Sequence, residues 1–414
     1  MRLLIPALVL RSQCLDVPPF FVMDLSKPPA QRWNGALGKI LERHSYEYSF
    51  APVFESHKLL FSALSDGQKQ AVAVSVKKHF PETASELEGI ASQFALFNHG
   101  EVTFEYLALW LYFHELAHTA EGGYVHTSEC TGIVAESEAG FIFHGGNMDQ
   151  SPRAVRNLTI KVRFIDAAGK VVFEGVDWYT LLSTGVSRAV KRGVATVQEN
   201  WRQTSLRSLD DVIADIEKGV ISQMLVFRHM FIKAHESTMN FKQFVDGVTQ
   251  IQLAAPAYIV AGGSSSGDGV VITRNLIGSD NTSWLADADS RSRPDDYFLA
   301  QCNTDRWLED NPDDPRRTAA ELTLRRLGRI EGASLLGMMA VSSTYPIHNP
   351  HSAYTALMSA ATGELHVYVR EASCPIDIDG SVVMDKRYCH GTVEFEQRQT
   401  YSSNAVSARF AFLE

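Results

Sequence analysis

Cys130 and Asp149 are the two residues whose types and placement most directly suggest covalent chemistry. Cys130 opens the run Cys130-Thr131-Gly132-Ile133-Val134-Ala135; a turn follows at Glu136-Ser137-Glu138-Ala139-Gly140, and Phe141 to Met148 leads into Asp149. Two apolar runs around a glycine-bearing turn predict a β-hairpin. A hairpin folds its ends together, so a thiol and a carboxylate become neighbours. The thiolate is the nucleophile, and at neutral pH it needs a nearby base or a lowered pKa. A cysteine alone in a strand is more simply a small buried hydrophobe; its partner at the other end of the hairpin is what points to chemistry.

A second constellation competes. His114-Glu115-Leu116-Ala117-His118 has the H-E-x-x-H spacing that puts two histidines on one helix face with a glutamate as general base, which makes a zinc peptidase the alternative reading. Tyr106 to Phe113 before it is helical and apolar. The metzincin continuation is missing, since Glu121 and Tyr124 stand where glycine and the third histidine belong; Glu129 or Glu136 would have to complete the site. Gly263-Ser264-Ser265-Ser266-Gly267 satisfies G-x-S-x-G, but a strand follows it where a nucleophile elbow needs a helix, so it reads as a hairpin loop.

Cys-Thr-x-Ile-Val-Ala, a hairpin, and His144-Gly145-Gly146-Asn147-Met148-Asp149 together resemble the acid ceramidase and N-acylethanolamine acid amidase family, N-terminal-nucleophile cysteine hydrolases related to choloylglycine hydrolases. The likeness continues through Tyr258 to Gly263, Gly269 to Asn275, Cys302-Asn303-Thr304-Asp305-Arg306-Trp307, Asp313-Asp314-Pro315-Arg316-Arg317-Thr318 and Tyr354 to Ala360. It implies an α+β fold, a four-layer αββα sandwich with a helical N-terminal lobe. It also implies self-cleavage between Glu129 and Cys130, leaving residues 1–129 as an alpha-subunit-like propeptide lobe and 130–414 as the catalytic, beta-subunit-like part of a heterodimer. The new N-terminal amine then serves as base for its own thiol. By the same resemblance Asp149 holds that amine, Asn303 helps form the oxyanion hole, Arg316 braces the network, and Glu199 matches more loosely a glutamate near the cleavage point. The implied reaction is hydrolysis of lipophilic N-acyl amides of the ceramide or N-acylethanolamine type through a thioester, with no cofactor and no metal.

One departure stands out. The family has Gly-Arg-Asn-x-Asp, and this chain has Gly146 in place of the arginine, which removes a charge and five hydrogen-bond donors from beside the nucleophile. Three outcomes follow: Arg153 or Arg156 substitutes, the acyl substrate differs, or the chain is a catalytically impaired lipid-binding relative.

The elements that must position these residues fall into two stretches. Before Cys130 the pattern is helical, at Ala71 to Phe80, Ala84 to Leu96 and Phe104 to His118; after it hairpins dominate, including Leu158 to Phe164 with Val171 to Gly175. A helical insert, Leu209 to His235 and then Phe241 to Val248, interrupts them. Within it Val220 to Ile232 is apolar nearly all round, the mark of a buried helix, with an acyl-pocket wall or membrane-surface contact as the functional alternative. At 414 residues and 45% hydrophobic content the chain can bury a large core, and 48 acidic against 38 basic residues argue against a nucleic-acid partner. No stretch is long and apolar enough to span a membrane. Leu3 to Leu10 makes a marginal signal peptide, and Cys374 with Cys389 is the plausible disulfide if the chain is secreted, with Cys302 a buried free thiol. The expected compartment is lysosomal or secreted.

Overall fold

In the computed structural model the described residues are 13–119, 130–179, 185–202, 207–287 and 297–373. Glu129, the N-terminal apolar run, and Cys374 and Cys389 lie outside them. Two sheets carry the fold. The six-stranded sheet runs β1 (Gln13–Asp16), β14 (Glu364–Ser373), β13 (Ser352–Ser359), β4 (Ile142–Asp149), β3 (Thr131–Glu136), β12 (Phe298–Gln301). The eight-stranded sheet runs β11 (Ser279–Trp284), β10 (Gly269–Arg274), β9 (Ala257–Gly262), β8 (Ala195–Trp201), β7 (Arg188–Lys191), β6 (Val171–Trp178), β5 (Thr159–Ile165), β2 (Phe20–Asp24). All neighbours are antiparallel except β2 with β5.

Strand alternation explains the layering, because successive side chains point to opposite faces. On β3, Val134 packs into the space between the sheets with Ile142, Val260, Val271 and Leu299. Its neighbours Ile133 and Ala135 instead face the helices α11 (Arg316–Gly332) and α12 (Leu335–Ser342), meeting Leu324, Met338 and Val341. The far face of the larger sheet is covered by α9 (Gln223–Glu236) and α10 (Phe241–Gln250); Phe173 of β6 stacks on Phe231 at 5.3 Å, and Phe231 on Phe244 at 4.8 Å. Helices, sheet, sheet and helices make the αββα sandwich that the sequence implied.

Seven further helices plus α8 (Leu209–Glu217) complete the described α-helices: α1 (Ala36–Leu41), α2 (Phe50–Ser56), α3 (Lys58–Ser62), α4 (Asp66–His79), α5 (Pro81–Leu96), α6 (Phe104–Leu111) and α7 (Phe113–Ala117). Local chemistry sets several starts: a Ser65–Gln68 capping box for α4, Pro81 at the first turn of α5, and Thr103 capping α6. The stretch before Cys130 is not helical alone, since β1 joins one sheet and β2 the other.

The apolar segment 220–232 forms most of α9 and is a core helix, with Leu225, Val226, Phe227, Met230 and Phe231 buried. It offers no apolar outer face for a membrane, which corrects that expectation; its start contributes Met224 to the wall of the cavity described next.

Candidate active site

The expected hairpin is present. β3 pairs with β4 from Thr131↔Asn147 to Glu136↔Ile142, closed by a turn in which Gly140 takes φ 81°, a value that suits glycine. Cys130 and Asp149 sit at its open end and both line a mostly apolar cavity of about 60 Å³ with Trp110, Phe113, His114, Trp178, Glu199, Trp201 and Met224.

Asp149 is held by three donors: Ser352 Oγ to Oδ1 at 2.7 Å, Asn349 Nδ2 to Oδ2 at 2.8 Å, and Arg316 Nη1 to Oδ2 at 3.4 Å. Burial outweighs them and pushes its pKa up to about 6. Arg316, at the start of α11, also donates to the Cys130 carbonyl at 3.1 Å and to Asn303 Oδ1 at 3.0 Å, and is itself fixed by Asp314. Asn303 in turn donates from Nδ2 to the Trp201 carbonyl at 2.6 Å. One fork thus ties Cys130, Asp149 and Asn303 together, the geometry for which a rigid guanidinium is suited. Glu199, on β8, reaches the same cavity; burial raises its pKa to about 8, with Arg188 opposing and Glu115 adding to the rise. All five expected site residues therefore converge.

Cys130 itself is a neutral thiol. Burial drives its pKa up to about 11, against the pull of Arg188 and with Glu199 and Asp149 pushing the same way as burial. Arg188 was not foreseen. It lies on β7, fully buried, donating from Nη1 to Tyr354 Oη at 3.1 Å and from Nη2 to the Asn147 carbonyl at 2.7 Å, while the Cys130 sulfur itself lies 3.3 Å from Met148 Sδ. The available cue was a lone arginine inside an apolar strand, Val186-Ser187-Arg188-Ala189-Val190. Arg153 and Arg156 do not take that place: Arg153 is exposed, and Arg156 donates to the Ser352 carbonyl at 3.3 Å.

Gly146 is explained by packing. A Cβ there would overlap the Thr131 carbonyl oxygen, and the space in front of it is filled by Gln198, which donates to that carbonyl at 2.8 Å. Any side chain at this position would have to displace the β3 backbone. His144 and Asn147 from the same motif are scaffold: His144 bonds Thr196 across the sheets at 2.9 Å, and Asn147 donates to the Ser342 and Ile347 carbonyls. Asn349 and Ser352 were also missed; nothing in their local sequence marks them as partners of Asp149.

The H-E-x-x-H residues are spent otherwise. Glu115 accepts from the Gln223 backbone N–H at 2.6 Å, capping α9, and burial lifts its pKa to about 7. His118 stacks on Trp201 at 3.5 Å, and His114 Nε2 lies 3.6 Å from Glu199 Oε1. Glu136 accepts from Arg329, Ser266 and the Gly267 backbone. Among the described residues no group of three or more His, Cys, Asp or Glu is placed to hold a metal ion. The motif's glutamate faces a helix end and its second histidine a ring, so the zinc reading is not favoured.

An αββα sandwich with a cysteine immediately before one inner strand is the fold class of the N-terminal-nucleophile hydrolases. The chain is 27% identical over 357 residues to the N-acylethanolamine-hydrolyzing acid amidase of Caenorhabditis elegans, covering 86% of this chain and 93% of that one. It is 26% identical over 381 residues to the acid ceramidase of Balaenoptera acutorostrata scammoni, covering 86% and 87%, and 28% identical over 262 residues to human acid ceramidase, covering 59% and 62%. A solved structure of the Caenorhabditis elegans N-acylethanolamine-hydrolyzing acid amidase ortholog aligns with a TM-score of 0.48 over 56% of this chain and 93% of its own, at 28% identity. No family model matches. The resemblance read from the motifs thus extends over most of the chain, and the relatives it points to are amidohydrolases.

Proposed function

We propose that the chain is a self-processing cysteine amidohydrolase that cleaves lipophilic N-acyl amides. The observation that carries this reading is the placement of the Cys130 thiol in an apolar cavity while Arg316 links its own carbonyl to Asp149 and Asn303. Processing is an intramolecular acyl shift: Cys130 Sγ attacks the Glu129 carbonyl carbon, the peptide C–N bond breaks, and water hydrolyses the resulting thioester. The products are a Glu129 carboxylate and a free amine on Cys130, the two chains forming an α/β pair of 1–129 and 130–414.

Before cleavage the thiol lacks a base on its own residue and is held neutral by burial. Cleavage supplies an α-amine whose ordinary pKa is about 7.7–8.0, placed where Asp149 can hold it. On a substrate, sulfur attacks the amide carbonyl, Asn303 and backbone N–H groups receive the oxyanion, and the amine product leaves with a proton. Water activated by the α-amine then releases the fatty acid. The cavity of about 60 Å³ has room for the water that hydrolyses the thioester. The acid-amidase relatives suit a lysosomal or secreted setting, in which Asp149 is part protonated.

Intact mass spectrometry of the purified chain after incubation at mildly acidic pH tests this. Two fragments divided at Glu129–Cys130 are expected, together with hydrolysis of long-chain N-acylethanolamine or ceramide, and both should vanish in Cys130→Ala. An uncut chain that still hydrolyses these amides would sink the mechanism.

A further inference from the structure

Two glycines face each other across the hairpin beside the nucleophile, Gly132 of β3 pairing with Gly146 of β4. With no side chain on either, this face of the hairpin has a slot, which the fully buried Gln198 of β8 fills from the other sheet. A Cβ on Gly132 would lie 2.7 Å from Gln198 Nε2, and one on Gly146 would lie 2.9 Å from its Oε1. Nε2 donates to the Thr131 carbonyl at 2.8 Å and to Asn200 Oδ1 at 2.6 Å; Asn200 Nδ2 donates to the Gln301 carbonyl at 2.9 Å. Thr131 follows Cys130, and Gln301 precedes Asn303 by two residues. Two amides at alternate positions of one strand thus share a face and hold the main chain beside both the thiol and the oxyanion donor. For packing alone an apolar side chain would fill the slot without the cost of burying an amide.

We propose that Gln198 is a positioning residue for the reaction. It fixes β3 at Thr131 and, through Asn200, β12 at Gln301, so that Cys130 and Asn303 keep their relative places. The inference rests on the reading of Cys130 as nucleophile. Cleavage turns Cys130 into a chain end, and chain ends fray unless they are tied down. Arg316 of α11 ties the Cys130 carbonyl at 3.1 Å, Gln198 ties the next carbonyl, and the β3–β4 ladder begins at Thr131↔Asn147. Loss of the Gln198 bonds leaves the first residue of the processed chain held by Arg316 and the start of the ladder. A displacement of about 1 Å at an attacking atom is enough to slow a reaction by orders of magnitude. Gln198 touches no reacting atom; it acts through the main chain of its two neighbours.

The test compares Gln198→Met, which keeps the volume and removes both donors, with Gln198→Glu. The new carboxyl can donate its O–H to the Thr131 carbonyl while it is protonated, a state that burial and mild acid both favour. Turnover of a long-chain N-acylethanolamine at mildly acidic pH is expressed per processed molecule, counted by intact mass spectrometry of the full chain. Gln198→Met should lower kcat roughly ten-fold or more with little change in KM, and Gln198→Glu should recover most of the loss. The ratio of Cys130 to Cys302 alkylation by iodoacetamide, read by peptide mass spectrometry, should rise in Gln198→Met and not in Gln198→Glu. A freed chain end exposes its own thiol, whereas a general loosening of the fold exposes both buried thiols alike. An unchanged kcat in Gln198→Met, a rise in KM alone, or an unchanged alkylation ratio overturns the proposal, as does Gln198→Glu behaving like Gln198→Met. If Gln198→Met does not fold, Gln198→Glu decides: relative to the parent its kcat should fall and its ratio rise as pH climbs, and a constant difference overturns the proposal. Hydrolysis that survives Cys130→Ala overturns the nucleophile reading and this proposal with it. The alkylation ratio, which needs no turnover, tells that failure from a failure of Gln198 alone.

Discussion

Helix α9 touches two buried charge clusters that differ in how completely they are satisfied. At Arg228 it meets Glu86 of α5, whose carboxylate accepts from Arg228 Nη1 at 2.7 Å and Nη2 at 2.5 Å, Arg32 Nη1 at 2.9 Å and Trp33 Nε1 at 3.1 Å. Although burial works to raise the Glu86 pKa, Arg228 and Arg32 bring it below the ordinary value. At its N-terminal end, Gln223 and Met224 adjoin the cavity of Cys130, Asp149 and Glu199, where burial wins and raises the two carboxyl groups to about 6 and about 8. A cluster with every oxygen occupied stores nothing and fixes the helical lobe to the sandwich. A cluster left short of counter-charge keeps groups whose protonation can change during a reaction.

Glu86→Gln breaks the satisfied cluster and is expected to have the largest effect on the fold. It removes the carboxylate that Arg228 and Arg32 share, Arg32 keeping Glu82, and should lower stability by about 3–5 kcal/mol, read as a drop in calorimetric midpoint. The Cys130-to-Cys302 alkylation ratio of the folded protein should not move; if it does, the two clusters are coupled through α9. Asn303→Ala acts on the other cluster. It should lower kcat by roughly 10²–10³, about 2.7–4 kcal/mol of oxyanion stabilisation, with a smaller midpoint shift than Glu86→Gln. A rise in KM at constant kcat would instead make Asn303 a substrate-binding group.

The pH dependence of stability should carry opposite signs in the two places. Asp149, Glu115 and Glu199 have folded pKa values raised to about 6, 7 and 8. The folded chain therefore keeps protons that the unfolded chain has released, and this contribution is full below the unfolded carboxylate values near pH 4 and lost as pH rises through about 6 to 8. Glu86, lowered, contributes stability that is present above its unfolded value and lost in acid. The folded chain should be more stable near pH 5 than near pH 8 by several kcal/mol, on the order of 1.4 per group for each unit between pH 5 and its folded pKa, read as a higher thermal midpoint, and the fall below about pH 4 should be shallower in Glu86→Gln. A midpoint flat from pH 5 to 8 would mean the cavity acids are solvated. The smallest expected effect is that of a chelator, which should leave processing and hydrolysis unchanged; zinc-restorable loss would reinstate the His114, Glu115 and His118 reading.

Local pattern in the amino-acid sequence was enough for the β3–β4 hairpin, since a short turn and period-2 alternation specify register between neighbours. With the hairpin came the meeting of Cys130 and Asp149. Motif order along the chain was enough to bring Asn303, Arg316 and Glu199 into the same site, and residue periodicity placed the helices of the lobe and the insert. The membrane-facing reading of 220–232 failed because a run that is apolar all round says that something covers it, not what; here the covering is β6, α10 and the rest of the core. The H-E-x-x-H spacing correctly put two histidines side by side, but their partners, Trp201 and Glu199 on β8, come from the other sheet. Only tertiary structure could decide why position 146 carries no side chain. The space in front of Gly146 is closed by the Thr131 carbonyl of the neighbouring strand and by Gln198 reaching across from the other sheet, and a contact between layers leaves no trace in the residues adjacent to the glycine.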